Sequence, residues 1–178
     1  MVPPLPILGA TLLFLVPCMV SDLRTMRIPN RLTGPAILAG IALNTVYGGW
    51  GGASASFGGA LLVTVLLFGP FALGGVGAGD VKMMTAVGAL LGPRLALYSL
   101  IVGLALGGVF AIVQLARMAR LREKLGALKD MALNSVLSLS IQPLRVSAND
   151  PNAVALPYSL PLGIGTASVI AISMALKP

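Results

Sequence analysis

Only five carboxylates occur in 178 residues, against twelve basic side chains and no histidine. Three of them, Glu123, Asp130 and Asp150, fall in a polar stretch where a solvated acid needs no further reason. The other two stand against apolar sequence: Asp22 in "VSDLRTMRIPN" follows a long apolar run, and Asp80 in "GVGAGDVKMM" precedes one. Ionisable residues at membrane depth are costly and mark functional sites. Two aspartates that share a proton can hydrolyse an amide: one takes a proton from water while the other, still protonated, hydrogen-bonds the scissile carbonyl. Such a pair titrates as a unit. The plain alternative is that each acid ends a helix in the headgroup zone. A single cysteine, Cys18, and the lack of histidine exclude an internal disulfide and a zinc site of Cys/His type. The expected chemistry uses no metal and no cofactor.

The elements that must position this pair are apolar. Hydrophobic residues make up 57% of the chain and charged ones 10%, with mean hydropathy +0.96, far from the roughly 25% charged residues of a soluble domain. Runs long enough to cross a bilayer recur. The reading is an all-α integral membrane protein, one polytopic domain over 1–178, with six transmembrane helices at about 4–20, 34–50, 55–74, 81–92, 95–116 and 157–176. No basic residue precedes the first run, so it reads as a retained helix rather than a secretory signal, and Pro17 disfavours a lipoprotein role for Cys18. The fourth segment is short, and it opens on Asp80.

Ten basic residues, Arg24, Arg27, Arg31, Lys82, Arg117, Arg120, Arg122, Lys124, Lys129 and Arg145, fall on one side of this topology, and Arg94 and Lys177 on the other. The richer side is cytosolic, which puts the N-terminus outside and both aspartates at the cytosolic face. Flanking of apolar segments also explains the net charge of +7 without a nucleic-acid partner. Tyr47, Trp50 and Tyr98 fall at outer helix ends as interfacial anchors. Residues 117–141 repeat Met118, Leu121, Leu125, Leu128 and Ala132 between basic residues, the pattern of an amphipathic helix on the cytoplasmic surface. The glycines Gly77 and Gly79 would admit an extended peptide backbone beside Asp80, or else close helix packing, which is the reading for Gly103 and Gly107.

The two blocks together resemble the GxGD membrane aspartic peptidases, and within them the prepilin peptidases. Asp22, Ile28, Pro29 and Asn30 match that family's first block, and Gly77, Gly79, Asp80, Val81 and Lys82 its Gly-x-Gly-Asp-Val-Lys. "LPYSLPLGIG" is a looser match to a Pro-Tyr/Phe-x-x-Pro motif before the last helix, departing at Ser159 and Leu160. The resemblance implies catalytic Asp22 and Asp80, with Gly77, Gly79, Lys82, Pro29 and Asn30 in support. The chain lacks the cysteine cluster and methyltransferase domain of bifunctional relatives and so is similar to the compact Tad/Flp (CpaA/TadV-like) type. The implied substrate is a prepilin or pseudopilin whose short basic leader is removed at the cytosolic face of the bacterial inner membrane. Lys82 reads as a boundary residue, with a contact to Asp80 or to substrate as the alternatives. Two further classes compete: a non-catalytic pilus assembly factor, and a small ion- or proton-coupled transporter. The transporter is disfavoured because Asn44, Thr64 and Gln114 are the only polar residues expected at mid-depth in helices 2, 3 and 5.

Overall fold

The computed structural model describes residues 3–117, 126 and 158–176. They form four helices, α1 (Leu5–Thr25), α2 (Asn30–Ala72), α3 (Ala78–Arg117) and α4 (Ser159–Ala175). Three spans, Leu5–Thr25, Asn30–Ala72 and Ala78–Val113, are long and apolar enough to cross a membrane, and α4 is a shorter apolar helix. The amphipathic helix expected at 117–141 lies outside the described residues, apart from Arg117 at the end of α3 and Gly126.

Four helices stand where six segments were expected, because two breaks anticipated as loops are hinges inside longer helices. A straight α2 of 43 residues would be about 65 Å long, twice the thickness of a bilayer core. It reverses instead at Gly49, whose φ of 57° and ψ of −143° only glycine adopts readily. Beyond the hinge, Gly52 abuts the carbonyl of Asn44, a residue that would lie about 12 Å away along an unbroken helix. The first limb, from Asn30 to Gly49, is about 28 Å long, close to one bilayer core.

α3 turns the same way at Gly92 (φ 74°, ψ 177°), followed by Pro93. Proline has no N–H to offer the carbonyl four residues earlier, here Ala89. That oxygen accepts instead from Ser56 Oγ at 2.6 Å and Asn44 Nδ2 at 3.1 Å, while Asn44 Nδ2 also lies 2.9 Å from the carbonyl of Leu90. Both limbs of α2 thus contribute a side chain to the backbone that the α3 hinge leaves open. Buried carbonyls in an apolar surrounding are costly without such partners.

The first limb of α3 is the axis of the bundle: residues 86–92 are buried without interruption. Small residues let the neighbours close on it. A Cβ on Gly40 would meet the backbone of Ala89 at 2.7 Å, and one on Gly88 the backbone of Gly59 and Ala60 at 2.7 and 2.9 Å. The second limb of α3 packs on α4, where Gly103 meets Leu162 and Gly107 the ring of Tyr158, the helix-packing role expected of both. Large apolar side chains such as Leu13, Val46, Phe57 and Phe68 point outward, as a lipid-facing surface requires. Tyr47, Trp50 and Tyr98 are also exposed.

Candidate active site

The block around Asp22 is a helix end followed by a tight corner. α1 continues to Thr25, so Asp22 sits in its last turn rather than where it stops, one residue-turn earlier than the apolar run implied. Met26 takes the left-handed conformation (φ 51°) and donates its N–H to the carbonyl of Asp22 at 2.8 Å, a helix stop usually given to glycine or asparagine. Ser21 Oγ and Thr25 Oγ1 then donate to the carbonyl of Arg27 at 2.8 and 3.2 Å. The chain turns inward so that Ile28 is buried, 6% exposed, beside exposed neighbours. Pro29, extended at φ −72°, caps α2, which starts at Asn30.

Asp80 stands in the first turn of α3, as its position before an apolar run implies. Its carboxyl lies against the backbone of Gly77, and a helix N-terminus is where free N–H groups favour an acidic side chain. Gly77 leaves room for that carboxyl: a Cβ there would lie 3.1 Å from Asp80 Oδ2. A Cβ on Gly79 would meet Cβ and Cγ1 of Ile28 at 3.3 Å. The crowding at both glycines therefore comes from this chain itself. Ile28 wedges the corner between α1 and α2 against the residue preceding Asp80.

This wedge brings the two acids to one end of the bundle. Asp22 and Asp80 are each 7% exposed, one in the last turn of α1 and the other in the first turn of α3. Asp80 Oδ1 is buried with no hydrogen-bond partner among the described residues. At the rim, Lys82 Nζ donates to Asn30 Oδ1 at 2.9 Å, so two of the expected supporting residues meet each other. Pro29 is exposed and contributes by starting α2. One turn deeper, the hydroxyls of Thr64 and Thr85 lie 2.7 Å apart, each also within hydrogen-bond distance of a carbonyl of its own helix.

One residue at this site was missed from the sequence. Ser159, wholly buried at the start of α4, donates its hydroxyl to Asp22 Oδ2 at 2.6 Å. It had counted only as a departure from the motif in "LPYSLPLGIG". The signal available was a lone hydroxyl at the mouth of an apolar helix; its partner, 137 positions away, was not visible.

Two carboxyls in a dry setting, one steadied by a hydroxyl and the other with a free oxygen, can activate a water and polarise a carbonyl between them. No curated protein and no solved structure matches the chain. The sequence model of the type IV leader peptidase family matches residues 9–112, over half of the chain, a span that includes Asp22 and Asp80 but ends before Ser159. With both aspartates inside the matched span and gathered at one end of a helical bundle, the chain belongs to the type IV leader peptidase family.

Proposed function

We propose that this protein is an aspartic endopeptidase that removes the short basic leader of a prepilin or pseudopilin of Flp/Tad type, with Asp22 and Asp80 as its two catalytic acids. The observation that carries the reading is the burial of two carboxyls, 58 residues apart in sequence, at one end of the bundle, where the corner at Ile28 packs against Gly79 beside Asp80. One acid serves as general base toward water and the other donates to the scissile carbonyl. Gly77, Gly79, Lys82, Pro29 and Asn30 set the geometry around them.

Cleavage occurs at the cytosolic face of the bacterial inner membrane, in a multi-pass chain with its N-terminus outside. In support, Arg24, Arg27, Arg31 and Lys82 cluster around the aspartate end, whereas Arg94 follows the α3 hinge at the other, the asymmetry expected of cytosolic loops. The six-segment reading counts each limb of α2 and α3 as one crossing. The compact subtype is favoured because only residues 26–29 separate α1 from α2, too few to insert a cysteine-ligated domain.

A transporter would need polar groups free to hand on an ion. Asn44 is instead engaged with Gly40, Ala89 and Leu90, and Thr64 with Ala60 and Thr85. The test against a non-catalytic assembly role is co-expression with a prepilin. Leader removal, seen as a mobility shift and by N-terminal sequencing of the product, is expected with the wild type and lost with D80N or D22N. An equal shift with D80N would end the peptidase reading.

A further inference from the structure

The hydroxyl of Ser159 lies on the last helix and outside the span shared with the family model. It is wholly buried and donates to one oxygen of a buried carboxylate at 2.6 Å, a short, charge-assisted geometry. Asp22 is otherwise carried on α1, where the corner at Met26 bonds only its backbone carbonyl. α4, in turn, is fixed by close backbone contact with α3, where a Cβ on Gly165 would lie 2.6 Å from the nitrogen of Gly103. Gly163 crowds Met19 of α1, so α4 bridges the helix of one acid and that of the other.

We propose that Ser159 is a positioning residue for Asp22, fixing the rotamer in which its carboxyl faces Asp80, so that α4 completes the site. The inference rests on Asp22 acting as a catalytic acid. Loss of the hydroxyl leaves both acids in place but lets the Asp22 carboxyl rotate, so turnover suffers and binding does not.

The test is cleavage of a purified prepilin by full-length S159A, S159T and D22N in detergent, with thermal unfolding of each. S159A is expected to fold and to lose about ten- to a hundredfold in kcat, the size of a lost hydrogen bond to a charged group, with KM within about twofold of wild type. S159T, which keeps the donor, restores most of the rate. The infrared carboxyl band that disappears in D22N is expected to shift in S159A and not in S159T. Full kcat in a folded S159A, a loss confined to KM, or an unmoved Asp22 band would overturn the proposal. If S159A does not accumulate, S159C, a near-isosteric weak donor, carries the same expectation of reduced kcat, and wild-type kcat in it overturns the idea equally. Full activity in D22N would instead remove the catalytic reading of Asp22, an outcome separate from a failure of Ser159 alone.

Discussion

The two halves of the site are built by different means. Asp80 is held by its own neighbourhood: Gly77, three residues before it, supplies the space for its carboxyl, and the helix it begins is the buried axis of the bundle. Asp22 is held from a distance, by a serine that arrives 137 residues later on another helix. The local half is written in a compact string that can be read directly. The distant half depends on tertiary packing, and it falls at a position where the motif is loose. Placement by a contiguous backbone is rigid, whereas placement by one hydroxyl can be removed with a single atom.

The largest test of this contrast is removal of either acid. D22N and D80N are each expected to reduce leader cleavage by about 10²–10⁴-fold, the usual weight of a general acid or base, measured as product formed per unit of folded enzyme. A marked difference between the two would mean that the halves are unequal in chemistry as well as in construction.

Next comes the wedge that joins them. G79A places a methyl 3.3 Å from Ile28, which is buried and must give by a few tenths of an ångström. Overpacking of this kind costs about 1–3 kcal/mol, read as a lower unfolding temperature in detergent. Adding I28A should recover part of the loss, and a double-mutant cycle should show coupling of about 0.5–3 kcal/mol. Strict additivity would mean that Ile28 and Gly79 do not bear on each other.

A smaller effect is expected at Gly77, whose φ is open to any residue. The methyl of G77A would stand 3.1 Å from Asp80 Oδ2 and displace the carboxyl rather than the fold. Turnover should fall about tenfold, as misplacement by a fraction of an ångström allows, with the unfolding temperature unchanged. A drop in stability without a drop in turnover would contradict the local construction of the Asp80 half.

The smallest change is K82M. It removes an exposed hydrogen bond to Asn30 Oδ1, and activity should stay within about threefold of wild type, since an exposed bond contributes toward the low end of about 0.5–1.5 kcal/mol. A loss of hundredfold would show that Lys82 serves the acids or the substrate rather than the rim.

The placement of the two aspartates at helix ends, the helical class and a packing role for Gly103 and Gly107 were legible because each is encoded in type and spacing. An acid beside an apolar run and glycines four apart carry their physical meaning in one dimension. The hinges were less legible. "GGWGGASAS" after Tyr47 and "LGPR" before Leu95 contain glycine and proline and read as loops, but the reversals are confined to the non-helical φ/ψ of Gly49 and Gly92. What makes this tolerable is the satisfaction of the Ala89 and Leu90 carbonyls by Asn44 and Ser56, a pairing across more than thirty residues that no local pattern announces. For the same reason Asn44, an isolated polar residue in an apolar run, discloses its role only in three dimensions. The end of α1 was misread by a turn because "SDLRT" is polar, yet the helix persists until Met26 closes it.

The separation of Ser159 from Asp22 also orders events in time. Synthesis runs from the N-terminus, so a ribosome that has delivered α1, α2 and α3 has already released both acids and the glycines around Asp80, while the hydroxyl that steadies Asp22 is still to be made. A chain made only through α3 thus holds both acids without the hydroxyl that Asp22 accepts from, and that contact forms once α4 has joined the bundle.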